Sequence, residues 1–527
     1  MTGRYHPHVA ILPTHRPSNV EIRIGAIAFL AAFLVAAYLV RPFRVATVGY
    51  DTAASVVYFQ RLAAGLRLEA FLGTTPKPFF TVVYGIVQTV TGDWRVISWL
   101  GIAAFAAGIG LTAVLVARFG GLAAAAYVTI GLIGSVRLLD DVEAAYAISW
   151  SLAGWALVGI LLTGSRPRWF AAGLCLMVVG LLRYESLLIV GVAAAALTGA
   201  SLRARLGRGT APPARAWFLL LGLLAIPIEA LHDLVLTGDP WYSLLVPVLG
   251  SRGAPLIGLG GAVSFIYHRY LGMAALVALG VLGAAVLARR RAWVPLAGAL
   301  ALGPGIVVFV LYLGWRRIWI SDRYLAPADL TLIVLAAVGV AALRVPELDR
   351  LAERLSARAR TAALVCLAGI IAVASAGRFG PLDTASRTMM KDTLISHLNE
   401  AQALPVLAAA IRSVPGIHDR PPVIDPTAGM GARAVLRVPA QFVPQLVAEL
   451  DLPLDRIAGL GPAQPPTTDG TYPKVGEILY HDRVRDGLGD AFPFLEVTTP
   501  TTVGAIRLIP LGADPRLGWW VIRVATP

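Results

Sequence analysis

The sequence predicts an α-helical polytopic membrane protein followed by a soluble α+β domain, and three observations carry that prediction. The 527 residues are 57% hydrophobic and only 14% charged, whereas soluble globular chains carry about 25% charged residues. That is too little charge to cover a water-facing surface of this length. Apolar runs of about 18 residues or more, long enough to cross a hydrocarbon core, recur over 22–376. Beyond about Arg378 the texture changes to prolines, charges and short alternating runs. A mean hydropathy of +0.71 agrees with the first two.

The net charge of +14 does not point to nucleic acid, because the arginines sit mostly in short loops between apolar runs. That placement is a topology signal and not a binding stripe. Only Lys77, Lys391 and Lys474 are lysines among 45 basic residues, as GC-rich codon usage would give. Cys175 and Cys366 both lie inside apolar runs, so they build neither a disulfide framework nor a zinc site. The first apolar run, 22–40, lacks a small-residue cleavage site and is expected to stay as an anchor.

About eleven spans are expected, near 22–40, 95–117, 119–136, 144–163, 168–182, 186–200, 216–234, 270–288, 293–313, 325–343 and 361–376. Basic clusters at 203–215, 289–291 and 344–360 belong in the cytoplasm by the positive-inside rule. The protein then sits in the inner or plasma membrane, with its N-terminus cytoplasmic and its C-terminal domain outside. The expected boundary divides a transmembrane domain, 1–376, from a soluble domain, 377–527. The first outer loop, about 41–94, is long. Its stretch 51–68 reads as an amphipathic helix, and 78–90 is apolar but too short to span comfortably, so an interfacial or re-entrant helix is expected there.

This topology places Asp51, Lys77, Asp140, Asp141, Glu185, His232, Asp233, Asp239 and Arg323 at one face of the membrane. Ionisable groups near the membrane plane are costly and usually face a cavity or a partner. The alternative is that each simply ends a helix among headgroups. In the tail, 433–438 and 519–524 alternate like strands and 393–411 reads as a helix. Gly429, Met430 and Gly431 read as a loop. Tyr472, Trp519 and Trp520 either stack on sugars or fill a core.

A series of segments, taken in order, resembles the GT-C superfamily of membrane glycosyltransferases, in the style of protein O-mannosyltransferases and aminoarabinose transferases. Gly49-Tyr50-Asp51 follows the first span, and Thr75-Pro76-Lys77-Pro78-Phe79 precedes the apolar helix that ends at Gly92-Asp93-Trp94-Arg95. Leu139-Asp140-Asp141, Arg183-Tyr184-Glu185-Ser186-Leu187-Leu188, Gly238-Asp239-Pro240 and Arg323-Tyr324-Leu325-Ala326-Pro327 follow. Two positions depart from the pattern: Thr52 stands where a second acid is usual, and Phe79 where a second proline is. The tail from 378 is not covered.

The resemblance implies transfer of mannose, or a pentose such as arabinofuranose, from a polyprenyl-phosphate donor. The acceptor would be an extracytoplasmic glycan, glycolipid or protein. It implies Asp51 as general base, with Asp140 and Asp141 orienting the acceptor or tuning the base. Lys77, Arg183 and Arg323 are candidates for the donor phosphate, Lys77 being a compact point charge. Glu185, Tyr50, His232 and Asp239 are candidates for sugar or acceptor. Other readings stay open: Asp51 as a helix cap, Lys77 snorkelling to headgroups, Glu185 paired locally with Arg183. His232 and Asp233, being adjacent, make a poor chelate, so no metal and no cofactor beyond the donor are expected. The competing functions are a transporter or flippase for a lipid-linked precursor, and a non-catalytic envelope assembly protein.

Overall fold

The computed structural model describes residues 19–40, 48–68, 74–243, 258–318, 320, 322–343, 356–375, 384–419, 435–439, 442–460, 475–483, 495–503 and 506–527. The expected domain boundary at 376/377 lies outside the described residues, as do the glycine loop at 429–431 and Tyr472.

The chain opens with α1 (Asn19–Val40), whose outward side chains Ile27, Leu30 and Leu34 are exposed as a lipid-facing surface would be. After α1 come α2 (Tyr50–Ala63) and α3 (Pro78–Thr91), in the stretch expected to form the first outer loop. Proline at the first turn starts α3, and Gly92, at φ 62°, ends it in the left-handed conformation that glycine adopts without strain. At 14 residues α3 is about 21 Å long, short of a hydrocarbon core of about 30 Å. It packs along α2, with Tyr84 stacked on Phe80 and its hydroxyl donating to the Ala145 carbonyl at 3.0 Å.

Helix α4 (Trp94–Ile133) has 40 residues, about 60 Å of rise, or two membrane thicknesses. Gly121, at φ 65° and ψ −155°, breaks it, and only glycine tolerates that region. Two helices therefore meet at this kink, close to the point beside Arg118 where the expected spans 95–117 and 119–136 divide. Then follow α5 (Val136–Glu143), α6 (Ala147–Thr163), α7 (Trp169–Gly180), α8 (Leu187–Arg205), a 3₁₀ stretch Ala214–Leu224, and α9 (Ala225–Thr237). The remaining apolar elements are α10 (Leu259–Leu271), α11 (Ala274–Arg289), α12 (Trp293–Leu302), α13 (Pro304–Trp315), α14 (Ala326–Ala342) and α15 (Ala357–Ser375). Among the described residues six helices are long and apolar enough to cross a bilayer, and a seventh crossing is possible if α10 and α11, bent by 86°, count as one. These criteria do not fix the expected eleven; α7, for instance, is only 12 residues long.

Without water to drive them together, membrane helices associate through close packing of small residues. Between α11 and α14 a Cβ on Gly283 would stand 1.9 Å from the Leu335 carbonyl, and one on Gly339 would stand 2.2 Å from the Leu279 carbonyl. Two ends of the bundle are distinguishable. At one end Arg118 lies 4.0 Å from Glu21 in the first turn of α1 and donates to Thr163 Oγ1 at the close of α6. Arg290, just after α11, donates to the Phe119 carbonyl at the same end. The opposite end carries α2, α3 and the tail.

In the tail, α16 (Thr384–Arg412) and α17 (Val443–Leu450) cover a six-stranded sheet of order β2-β1-β3-β6-β5-β4. The strands are β1 (Leu436–Pro439), β2 (Ile457–Leu460), β3 (Ile478–Asp482), β4 (Thr501–Val503), β5 (Ile506–Asp514) and β6 (Trp519–Ala525). β1 pairs in parallel with β2 and β3, and the rest pair antiparallel. Trp519 and Trp520 are buried in the sheet, so the sugar-stacking alternative does not hold for them. The tail shares one core with α2 and α3, since Tyr58, Tyr84, Leu446, Val447 and Leu407 belong to a single buried cluster. Buried Arg61 locks the seam, donating to the Leu452 carbonyl at 3.0 Å and to Asp451 Oδ1 at 3.2 Å.

Candidate active site

Asp51 enters the structure as the second residue of α2, with Gly49 rather than Asp51 in the capping position. Its carboxylate is turned away from the helix start and held by Thr74, whose hydroxyl donates to Oδ1 at 2.8 Å. On the other oxygen, Arg323 Nη1 stands at 3.4 Å. The same guanidinium reaches Asp141, with Nε 3.8 Å from Oδ1, and donates from Nη2 to the Tyr146 hydroxyl at 3.1 Å. Its plane lies over the Tyr146 ring, 4.0 Å from the centroid. One arginine thus joins two acids that lie 90 residues apart in sequence. Thr52 fixes the approach, donating to the Ala144 carbonyl at 2.9 Å, so that the start of α2 is strapped to the turn between α5 and α6.

Burial pushes the Asp51 carboxyl up. Lys77, Arg323, the Thr74 hydrogen bond and Arg183, in that order, pull it down, and the balance leaves it below the ordinary value of 3.8. Asp51 is therefore an anion at neutral pH. Lys77, at the start of α3, is the strongest of these charges and makes no ion pair among the described residues. Arg183 is committed differently: it grips Glu185 through Nη2 at 2.7 Å and Nε at 3.4 Å, and donates to the Arg323 carbonyl at 3.1 Å. The local pairing of Glu185 with Arg183 is what the structure contains. It still places both residues beside Arg323, because that carbonyl ties the loop after α7 to the start of α14.

Next to this centre lies a buried carboxylate pair. Glu229 and Asp233, one turn apart on α9, share the Ser243 hydroxyl, which stands 3.0 Å from Glu229 Oε1 and 2.8 Å from Asp233 Oδ1. The Ser243 amide donates to Asp233 Oδ2 at 2.7 Å, and the Tyr184 hydroxyl donates to Glu229. His232 Nδ1 lies 3.8 Å from Asp233, and neither of its ring nitrogens has a hydrogen-bond partner among the described residues. Glu229 was not among the expected site residues, although an acid inside the apolar run 216–234 is the kind of signal that marks one.

The other expected positions divide as follows. Tyr50 is half-buried beside Asp51, and burial followed by the Asp51 charge raises its phenol well above the ordinary value. Asp140 lies on α5, its side chain outside the described residues. Asp239 is spent locally: its Oδ1 accepts from the Trp241 amide at 2.8 Å and closes the turn after α9. Among the described residues no three His, Cys, Asp or Glu side chains converge closely enough to hold a metal ion.

No protein-family profile matches the chain, and no curated protein does. Solved structures do. The chain is similar to ArnT from Cupriavidus metallidurans in the apo state, with 15% identity and a TM-score of 0.45 over 95% of this chain and 99% of that one. It is also similar to the oligosaccharyltransferase of Archaeoglobus fulgidus in the apo form, with 13% identity and a TM-score of 0.47 over 85% of this chain and 65% of that one. The same archaeal protein, AglB, in complex with an inhibitory peptide and a dolichol-phosphate, matches at 12% identity and a TM-score of 0.46, over 82% and 64%. The chain spans just under two thirds of the archaeal protein's length.

Proposed function

We propose that the chain is an inverting glycosyltransferase. It moves mannose, or a pentose such as arabinofuranose, from a polyprenyl phosphate to an envelope glycan, glycolipid or protein outside the cytoplasm. The observation that carries this reading is the pairing of an ionised Asp51 with Lys77, Arg323 and Arg183 at the end of an apolar bundle. A sugar phosphoester needs both halves of that arrangement. A narrow groove lined by Leu138, Leu276, Leu330 and Ile333, with Asp141 among its lining residues, suits the carrier's hydrocarbon.

In the step we infer, Asp51 takes the acceptor hydroxyl's proton as its oxygen bonds to the anomeric carbon. The bond from that carbon to the phosphate oxygen breaks on the opposite face. The electron pair leaves with the polyprenyl phosphate, whose added charge is met by Lys77 and Arg323. A carboxylate with a depressed pKa is a weak base but a permanently ionised one. It suits a step in which the proton moves only as the new bond forms. The chemistry needs no cofactor beyond the donor.

The test is sugar transfer by the purified full-length protein in nanodiscs, with labelled polyprenyl-phosphate mannose or arabinofuranose and envelope membranes as acceptor. Asp51→Asn is expected to lower the rate by about 10²–10⁴-fold with donor binding retained. Full activity in that variant would move the base to Asp141, and absence of turnover with either donor would sink the transferase reading.

A further inference from the structure

A second polar cavity opens where the tail meets the outer-loop helices. It encloses about 550 Å³, within the range of small-molecule sites. Gln60 of α2 forms one wall, and Gln445 and Glu449 of α17 form the other. The walls are fixed to each other. Gln60 Nε2 donates to the Ala448 carbonyl at 3.0 Å and the Val48 amide donates to Gln445 Oε1 at 3.4 Å, while within α17 Gln445 Nε2 donates to Glu449 Oε1 at 2.8 Å. Trp94 and Phe442 supply the apolar part of the lining. On the third side, Gln88 Oε1 is buried and has no hydrogen-bond partner among the described residues.

This is not the transfer centre. Gln60 lies nine residues after Asp51 on α2, about 14 Å along the axis and half a turn round it, so the cavity opens on the opposite face of the helix. Its charge excludes phosphate as an occupant: Asp93, Glu400 and Glu449 stand against Arg95 alone. Planar amides and carboxylates beside aromatic side chains suit vicinal hydroxyls, each of which both donates and accepts, over a ring with apolar faces. A buried amide oxygen with no protein donor is a ready acceptor for such a hydroxyl.

We propose that this cavity binds a short neutral glycan and holds the acceptor at a distance from the reacting centre. The acceptor role rests on the transferase reading above; the glycan binding does not. It gives the tail a reason to be seated on α2 and α3, since neither part makes the cavity alone.

The experiment is saturation-transfer NMR on the full-length protein in nanodiscs, with mannotriose, trigalacturonate and spermidine as probes. Mannotriose is expected to bind at least about tenfold more tightly than trigalacturonate. Thr89→Trp places a ring at an exposed position on the cavity rim and is expected to abolish the mannotriose signal, while Asp51→Asn leaves it unchanged. Gln88→Leu, which removes the unpartnered oxygen and adds no bulk, is expected to weaken the signal and guards against misfolding of the first variant. Equal mannotriose binding in wild type and both rim variants would overturn the proposal. So would tighter binding of spermidine than of mannotriose, or no mannotriose binding at all. Where transfer is measurable, Thr89→Trp should raise the acceptor KM by about tenfold with the donor KM held; an unchanged acceptor KM overturns the acceptor role. Binding without transfer would retire the transferase reading and leave the glycan site standing.

Discussion

At the scale of single residues, the state of Asp51 is decided by four partners. Its carboxyl is depressed because the surrounding charges outweigh burial. A depressed carboxyl contributes stability that is fully present above the unfolded value and is lost as the pH falls through the lower folded one. The acid limb of the transfer rate should therefore lie below 3.8 in the wild type. Arg323→Gln removes one of the opposing charges, leaves burial less opposed and should move that limb to higher pH. A pH–rate profile of the two proteins checks this, and an unmoved limb would show that Arg323 does not set the charge of Asp51. Asp51, Lys77, Arg183 and Arg323 were readable in the sequence because an ionisable residue in so apolar a chain is expensive. Thr74 and Tyr146 were not, since a threonine and a tyrosine in a loop carry no such cost. Glu229 carried the cost but sits within a run, and an argument that looks for charges at span ends passes over it.

Among the elements, the seam between α2 and the tail matters most. Arg61 is 2% exposed and is the only charged side chain on α2 among those fully enclosed there. Arg61→Met keeps the volume but leaves the buried Leu452 carbonyl without its donor, a loss of about 1–3 kcal/mol. Limited proteolysis is expected to release the tail faster in that variant, with the membrane-embedded region intact; an unchanged cleavage rate would mean the apolar core alone holds the seam. Helix α2 could be read from its amphipathic period, and the start of α3 from Pro76 and Pro78. The division of α4 was legible too, since Arg118 and Gly120-Gly121 interrupt the apolar run where the two helices meet. What packs against that kink was not: a Cβ on Gly120 would stand 2.7 Å from that of Ala341, so α14 lies against it.

For the molecule as a whole, the two ends of the bundle predict an orientation. On a Cys175→Ser, Cys366→Ser background, Thr499→Cys in the tail should react with an impermeant maleimide on intact cells. Arg289→Cys at the end of α11 should react only after the membrane is opened. The reverse pattern would invert the topology and place the transfer centre in the cytoplasm. The sequence by itself determined the membrane class and singled out Asp51, Asp141, Arg183 and Arg323 as charges that an apolar chain carries at a cost. Each of these follows from composition and from the cost of charge in hydrocarbon, which are properties of a residue and its near neighbours in the chain. The tertiary structure decided which charges meet. Arg323 bridges Asp51 and Asp141, Arg183 turns to Glu185, and a cavity forms between α2 and α17 from residues nearly 400 positions apart. Convergence of that kind depends on how helices cross and which small residues let them approach, and a one-dimensional pattern of polarity holds no record of it.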